Sequence, residues 1–445
     1  MAEGINLRRL ALSLLEEYEA CGKYANLALN SHKTDALAPS EKAFLTKLFY
    51  TSVEKRLTYD YYIGTISKRS LDKISPRIRN ILRLGICQLL DMDSVPAFAA
   101  VNETVKLCKN PGERSFVNGV LRAVERQLEN LPLPDKDKKY SRYLSVKYSF
   151  PLATVKKFIS VFGDAETEKL LSCYSTVSPT DISVNLNKVS REDFCKILTE
   201  AGYEAKISPI SPITVRLFAS IDPRLLPGYS EGYFFVQDAA CATAVSLLSP
   251  KPNEVVLDVC AAPGGKSFAA AVMMGDAGKI HSYDIHESKL SLIEGGSARL
   301  GLASVTASVR DATVPDVNFF GKADAVICDV PCSGLGVLGK KPDIRYKELD
   351  EISDLPELQY SILYASAKYL KRGGRMIYST CTLLPEENRA VVDRFLSENA
   401  GYRTVDFEIG GEASRDGSFT FLPHVHGTDG FFVTLIERQE YERKN

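Results

Sequence analysis

Two cysteines in the C-terminal half of the chain each follow a predicted buried strand and lie among polar turn residues. Cys332 lies in "VICDVPCSGLG", and Cys381 lies in "MIYSTCTLLPEEN". A lone cysteine usually serves as a small buried hydrophobe, which suits Cys328 inside its own strand. A cysteine in a polar turn at a strand end is better placed to act as a nucleophile. Its surroundings must then help to form the thiolate, since a free thiol has a pKa of about 8.5.

The segment "CAAPGGKS", residues 260–267, joins a predicted strand to a predicted helix through a glycine turn. Gly265, Lys266 and Ser267 match the end of a P-loop, but Cys260 occupies the place of its leading glycine. The dinucleotide fingerprint G-x-G-x-x-G is also missing from this turn. The turn therefore favours a ligand other than a nucleoside triphosphate, and a P-loop NTPase remains an alternative.

Three aspartates end successive predicted strands after this turn. Asp284 lies about 20 residues beyond it, where a carboxylate can accept the hydroxyls of a ribose. Asp311 follows the next strand and could accept from an adenine amino group, and Asp329 ends the fourth strand. A ligand with an adenosine, no phosphates and a short zwitterionic chain fits this set. The predicted cofactor is therefore S-adenosylmethionine.

A methyl donor beside a cysteine indicates methylation of cytosine at C5, an atom that is a poor nucleophile. A thiolate that adds to C6 makes a transient enamine, whose C5 can then attack the methyl group of the donor. Asp329, in "CDVPC", is placed to hold the base at its ring nitrogen. Removal of the C5 proton finally lets the thiol leave.

The motifs "CAAPGGK", "DVPCSGLG" and "STCTLLPEEN", in this order, resemble those of the RNA 5-methylcytosine methyltransferases. The resemblance implies that Cys381 is the catalytic nucleophile and that Cys332 assists release of the methylated RNA. It places Asp329 near both the donor and the base, without separating the two roles. The donor-binding positions that it implies are Cys260, Ala261, Ala262, Pro263, Gly264, Gly265, Lys266, Asp284, Asp311 and Asp329. Two positions depart from the family: Cys241 and Thr382 stand where serine is usual.

The N-terminal part of the chain has apolar residues at helical spacing, and Ser40 before Glu41 and Ser75 before Pro76 predict two helix starts there. Its stretches "RNILRLGICQLLDMDSVPAFAAVNETVKL" and "FVNGVLR" are similar to the NusB-type helical RNA-binding domain. A NusB-like domain fused to this catalytic domain is the arrangement of the bacterial Sun- or RsmB-type enzymes. That resemblance implies a cytosine of small-subunit ribosomal RNA as the substrate.

The expected fold class is α/β, with three domains. Residues 1–130 form an all-α NusB-like domain, and a linker with two prolines separates it from a small α+β module at 142–235. Residues 236–445 alternate strands and helices, which predicts a Rossmann-like methyltransferase domain with a parallel sheet. The run "FTFLPHVHGTDGFFVTLIER" predicts a hairpin that closes the edge of this sheet.

Composition limits the other classes of protein. The ten cysteines are scattered and the N-terminus lacks the features of a signal peptide, so we expect a cytoplasmic protein with free thiols. No apolar run reaches the ~20 residues of a membrane span. We expect no metal, because His424 and His426 have no third ligand nearby. The formal net charge of −1 means that RNA binding must come from local basic patches.

Two basic stretches are candidates for RNA contacts. Residues 68–83 carry six basic side chains against one acidic, which predicts a phosphate-binding face. Residues 339–347, "GKKPDIRYK", predict a basic loop with Tyr346 that positions a flipped-out cytosine. We expect a monomer with RNA, not DNA or a membrane, as its partner. The alternatives are a transfer-RNA cytosine methyltransferase and a non-catalytic RNA-binding or antitermination factor.

Overall fold

The computed structural model describes residues 6–21, 34, 37–176, 179–219, 221–341, 344–347 and 349–440. The chain divides into two compact units. The helical unit is Met1–Ser175 with Lys341–Lys347, and the sheet unit is Thr176–Lys340 with Glu348–Asn445. None of the helices in the described ranges is long and apolar enough to cross a membrane.

The helical unit contains an apolar core, to which Leu48, Tyr59 and Leu84 contribute. Its helices are α1 (Leu7–Cys21), α2 (Pro39–Glu54), α3 (Arg56–Ser67), α4 (Pro76–Leu90), α5 (Ala97–Val105), α6 (Pro111–Glu125), α7 (Tyr140–Tyr148) and α8 (Leu152–Tyr174). The last of these is interrupted at Gly163, whose φ is 77°.

Two helix starts in this unit were predicted from sequence. Ser75 caps α4 as expected: its side chain accepts from the Ile78 N–H, with Pro76 at the first helical position. The cap predicted at Ser40 is wrong, because α2 begins at Pro39 after Ala38. Glu41 instead accepts from the Ala38 N–H at 3.0 Å, which satisfies a donor that the helix leaves open.

The sheet unit begins with a small antiparallel sheet of strands β1 (Thr180–Val184), β2 (Ala205–Ile207), β3 (Thr214–Leu217) and β4 (Phe234–Val236). In the described residues the strand order is β2-β3-β1-β4. Helix α9 (Arg191–Glu200) follows β1, and its buried Phe194 and Leu198 join the small core on this sheet.

The rest of the sheet unit is a larger mixed sheet with helices between its strands. The strands are β5 (Val255–Asp258), β6 (Lys279–Asp284), β7 (Val305–Val309), β8 (Ala323–Asp329), β9 (Leu370–Thr380), β10 (Tyr402–Thr404), β13 (Ser418–Phe421) and β14 (Phe431–Arg438), and β11 (Glu408–Ile409) and β12 (Glu412–Ala413) form a separate pair. The helices are α10 (Ala239–Leu247), α11 (Gly265–Met273), α12 (Leu290–Leu300), α13 (Leu355–Ala367), α14 (Arg389–Glu398) and α15 (Pro423–His426). This is the Rossmann-like fold class expected from the sequence.

Strands β7, β6, β5, β8 and β9 run parallel and lie in that order, so the chain reverses its direction of winding between β5 and β8. In open α/β sheets, ligands bind outside the carboxyl ends of the strands at such a point. The glycine turn follows β5, and the loop with Cys332 follows β8. The fold therefore places two predicted site segments on either side of the reversal.

The predicted C-terminal hairpin forms at the edge of the sheet, where β13 pairs with β14 alone among the described strands. Strands β13 and β14 are antiparallel partners, with α15 between them. Strand β14 also pairs with β9 on one side and with β10 on the other, so it is an interior strand. Helix α14 begins at Arg389, so Pro385, Glu386 and Glu387 lie in the turn before it.

Candidate active site

The glycine turn after β5 is held closely against the neighbouring strand. The Ala261 N–H donates to the carbonyl of Tyr283 in β6 at 2.7 Å, and the Gly264 N–H donates back to Ala261 at 2.7 Å. Gly264 has a φ of 109°, which glycine adopts without strain and other residues do not. The turn requires this glycine, and α11 begins directly after it with Gly265 and Lys266.

Lys266 links the glycine turn to the end of β8. Its Nζ lies 2.7 Å from Asp329 Oδ2, and Ser379 Oγ in β9 donates to Asp329 Oδ1 at 2.7 Å. Burial disfavours the charged form of Lys266, but the Asp329 carboxylate outweighs this and raises its pKa above the ordinary value. A charged ammonium and a carboxylate are thus fixed together at the reversal point.

The two other predicted donor-binding aspartates lie at neighbouring strand ends but differ in exposure. Asp284 is buried and accepts from the His286 N–H at 2.9 Å. Asp311 is exposed and accepts from both the backbone N–H and the hydroxyl of Thr313, which lowers its pKa. Both carboxylates lie at the same edge of the sheet as the glycine turn, as parallel strands require.

The thiols of Cys332 and Cys381 meet at this edge. Their sulfur atoms are 3.1 Å apart, and the Cys381 N–H points to the sulfur of Cys332 at 3.3 Å. The hydrogen bond with Cys381, burial and nearby carboxylates raise the pKa of the Cys332 thiol well above its usual value. Cys332 therefore keeps its proton and can donate a hydrogen bond to a thiolate at Cys381.

Sequence reasoning missed two buried acids beside these loops, Asp258 and Glu387. Asp258 ends β5, accepts from Ser267 Oγ at 2.7 Å through one oxygen, and has no hydrogen-bond partner for its buried Oδ1. Burial raises the pKa of Asp258 to about 7. An unpartnered polar atom under the glycine turn fits a polar or cationic ligand there. Asp258 lies inside a predicted strand and gave no signal of its own. Glu387 lies in the motif "STCTLLPEEN", which could have drawn attention to it.

Three side chains of the basic loop predicted at 339–347, those of Lys340, Arg345 and Tyr346, are bound within the protein. Arg345 is 1% exposed and belongs to the helical unit, where its guanidinium lies 4.1 Å from the ring centroid of Phe150. Tyr346 OH donates to the carbonyl of Glu54 at 2.5 Å. Lys340 pairs with Asp238 and Asp429, each at 2.9 Å. These side chains serve packing and ion pairs.

The predicted basic face at 68–83 is smaller than the sequence indicated. Arg83 has a side chain that is 8% exposed and is bound by Asp60 and Glu19 at 2.7 and 2.6 Å. Arg77 pairs with Glu16 at 2.7 Å. The basic residues that remain exposed near the start of α4 are Lys68, Arg69 and Lys73.

The histidine pair has a structural environment. His426 Nδ1 accepts from the Leu422 N–H at 2.8 Å, and its ring packs against Phe419 and Phe421. Within the described ranges, no group of three or more potential ligand side chains could hold a metal ion.

Comparison with known proteins gives matches over both parts of the chain. Residues 245–437 match the family of 16S rRNA methyltransferase RsmB/F, and residues 5–126 match the NusB family. A protein of Synechocystis sp. named "probable ribosomal RNA small subunit methyltransferase B" is 35% identical, covering 98% of this chain and 100% of its own. A ribosomal RNA small subunit methyltransferase B of Klebsiella pneumoniae is 32% identical over 99% of this chain and 100% of its own.

A solved structure also matches over the whole length. The structure of PH0851 superposes with a TM-score of 0.79 at 26% identity, covering 98% of this chain and 100% of its own. A likeness this extensive includes both the helical and the sheet units. Taken with the near-complete coverage of the sequence relatives, these matches show that the chain belongs to the family of ribosomal RNA small subunit methyltransferase B, with an N-terminal NusB-family domain.

Proposed function

We propose that this protein transfers the methyl group of S-adenosylmethionine to C5 of a cytosine in small-subunit ribosomal RNA. The observation that carries the proposal is the pair of thiols, 3.1 Å apart, at the end of two parallel strands. Asp329, three residues before Cys332, binds Lys266 of the glycine turn, so the thiols lie next to the predicted donor site. The family supports ribosomal RNA as the substrate.

Residues around the glycine turn suit S-adenosylmethionine, which supplies an electrophilic methyl group on a sulfonium when bound. Asp284 and Asp311, at the ends of β6 and β7, are the proposed partners of the ribose and the adenine. Gly264 and its neighbours would bring backbone groups close to the amino-acid part of the donor. The buried, unpartnered Oδ1 of Asp258 supports a polar ligand above it.

The proposed reaction begins when the thiolate of Cys381 bonds to C6 of the cytosine. The electron pair of the C5–C6 double bond moves toward C5, which takes the methyl group as the sulfur–methyl bond of the sulfonium breaks and leaves a neutral thioether. A base removes the proton from C5, the sulfur–C6 bond breaks, and the double bond returns. Cys332, which keeps its proton, donates a hydrogen bond to the departing thiolate of Cys381 and so favours release.

Asp329 is oriented for a role beside the base or the donor. Its two oxygens accept from Ser379 and Lys266, and each keeps lone-pair capacity for a further hydrogen bond. We propose that Lys266 and Ser379 hold this carboxylate in place while the reaction proceeds.

The test is transfer of labelled methyl from S-adenosylmethionine to unmodified small-subunit ribosomal RNA, with transfer RNA in parallel. We expect the label in ribosomal RNA, recovered as 5-methylcytosine after digestion to nucleosides. Label confined to transfer RNA would keep the chemistry and overturn the substrate. Label on another atom of the base would overturn the cytosine-C5 mechanism. A chain that binds the donor but methylates neither RNA would favour the non-catalytic alternative.

A further inference from the structure

The residues directly after the two cysteines are joined to each other. Ser333 follows Cys332, Thr382 follows Cys381, and the Ser333 hydroxyl donates to Thr382 Oγ1 at 2.7 Å. Both side chains are buried. Each sulfur is thus one residue away from a contact that spans the two loops, and that contact limits how far the thiols can separate.

A single buried carboxylate holds both of these residues. Glu387 is 2% exposed; its Oε2 accepts from the Ser333 N–H at 2.8 Å, and its Oε1 accepts from the Thr382 hydroxyl at 3.2 Å. Gln359 Nε2 also donates to Oε2 at 2.9 Å and donates to the Pro331 carbonyl at 2.9 Å. Glu387 therefore holds the Cys332 loop directly at Ser333 and through Gln359 at Pro331, and it holds the Cys381 loop at Thr382.

Glu387 is itself fixed by the main chain around it. Tyr378 OH in β9 donates to the Glu387 carbonyl at 2.6 Å. The next residue, Asn388, accepts from Thr380 Oγ1 at 2.5 Å and donates to the Thr382 carbonyl at 3.0 Å. A hydrogen-bonded buried network of this kind is rigid, because leaving any member unpaired is costly.

The charge of Glu387 also acts on one thiol. The titratable groups that face Cys332 are Cys381, Glu387, Asp329 and Tyr378, and the carboxylates among them disfavour a second negative charge. The Glu387 carboxylate therefore favours the protonated form of Cys332.

We propose that Glu387 is the positioning residue that sets the separation of the two thiols and assigns attack to Cys381 and the supporting role to Cys332. The roles of Cys381 in attack and of Cys332 in support rest on the proposed function, whereas the effect of Glu387 on the two thiols does not. Glu387 touches neither RNA nor donor in this proposal and acts through the two cysteine loops alone.

The first experiment measures the thiols without any turnover. Iodoacetamide alkylation of the Cys332 and Cys381 peptides is followed by mass spectrometry across a pH range in the full chain. In Glu387→Gln, which keeps the shape and loses the charge, we expect the midpoint for Cys332 to move to lower pH. The matched control, Glu386→Gln, removes the exposed acid next to it and should leave that midpoint unchanged. An unchanged midpoint in Glu387→Gln would overturn the proposal.

The second experiment separates geometry from charge. Glu387→Asp keeps the charge but is shorter by one methylene, so it should keep the Cys332 midpoint and slow closure of a Cys332–Cys381 disulfide by diamide. Equal rates of closure in wild type and Glu387→Asp would contradict a role in thiol separation. This variant also serves if Glu387→Gln does not fold.

The third readout is methyl transfer itself. We expect kcat to fall by about 10- to 100-fold in Glu387→Gln with KM for RNA nearly unchanged, since small misplacements of reacting groups have effects of this size. A rise in KM alone would count against positioning. If wild type transfers no methyl group, the proposed function fails, and the alkylation and disulfide results still decide the role of Glu387.

Discussion

At the scale of single residues, replacing Cys381 and replacing Cys332 should have different effects on the reaction. Cys381→Ala removes the proposed nucleophile, so methyl transfer should fall by several orders of magnitude while donor binding persists. Cys332→Ala leaves the nucleophile and removes the group that favours release. We expect a covalent protein–RNA adduct to accumulate in that variant, visible as a retarded band on a denaturing gel.

A third cysteine gives the matched control for this pair. Cys328 is fully buried in β8, four residues before Cys332, and belongs to an apolar core of the sheet unit. Cys328→Ala should keep methyl transfer and form no adduct. An adduct in Cys381→Ala, or undiminished methylation by it, would show that another residue attacks the base.

Asp258 predicts a pH dependence of stability. Its folded pKa of about 7 lies above the ordinary value of about 4, so the folded chain binds a proton that the unfolded chain has lost. The free energy of unfolding therefore falls as pH rises from about 4 to about 7. Above about pH 7 the buried carboxyl is ionised and the loss of stability is complete. Asp258→Asn removes this titration, because an amide carries no charge at either pH.

Urea unfolding at pH 5 and pH 8 measures the effect. The free energy of unfolding of Asp258→Asn, relative to that of wild type, should be higher at pH 8 than at pH 5. The control is Asp416→Asn. The side chain of Asp416 is 82% exposed, so this variant should show no such change. A difference that is the same at both pH values would refute the burial argument for Asp258.

At the scale of elements, Gly336 shows how tightly the Cys332 loop is held. Its N–H donates to the Cys381 carbonyl at 2.9 Å, and its own carbonyl accepts from the Gly430 N–H at 2.8 Å. A Cβ at Gly336 would lie 1.9 Å from the Gly430 carbonyl oxygen. Gly336→Ala must therefore displace backbone, and we expect it to cost more than about 2 kcal/mol of stability and most of the activity.

The matched glycine for this test lies in helix α6. Gly119 is exposed, and a Cβ there would meet nothing within 4 Å. Gly119→Ala should raise stability by about 0.5–1 kcal/mol, because alanine loses less backbone entropy in a helix. Chemical denaturation and the methyl-transfer rate measure both variants. A Gly336→Ala protein as stable and active as wild type would show that the loop can move away from its partners.

The sequence predicted the elements that position the site better than the contacts within it. The five parallel strands follow from short apolar runs between glycines and helical segments, which are local signals. Glu387 and Ser333 are 54 positions apart, and nothing local announces their hydrogen bond. The C-terminal hairpin was predicted for the same local reason. The pairing of its strand β14 with β9 and β10 depends on residues outside the hairpin, so the hairpin sequence does not predict it.

At the scale of the whole molecule, the segment after Lys340 belongs to the helical unit, although it lies far from the rest of that unit in the sequence. Residues 341–347 lie in the helical unit, although the chain on either side belongs to the sheet unit. The charged residues and the tyrosine in "IRYK" predict an RNA-binding loop. The same residue types also suit a buried cation that stacks on an aromatic ring. Composition alone cannot separate these two uses, whereas burial does. The boundaries predicted for the three domains stay predictions.

Arg345 is therefore expected to stabilise the helical unit. Its guanidinium donates to the carbonyls of Tyr148 and Tyr174 at 3.4 and 3.3 Å and pairs with Glu54 at 3.3 Å. Arg345→Ala removes these bonds and the contact with Phe150. Removing one partner of a buried pair typically costs about 3–5 kcal/mol, and the partial exposure of Glu54 reduces this to about 2 kcal/mol.

Hydrogen exchange in the full chain locates this effect. Amides in α7 and at the end of α8 should exchange faster in Arg345→Ala, since their carbonyl neighbours lose a buried donor. Lys341→Ala, in the same segment but exposed, should leave exchange there unchanged. Faster exchange confined to β8 and β9 would instead mean that Arg345 supports the sheet unit. Unchanged exchange and stability would mean that the segment contributes nothing to the helical core.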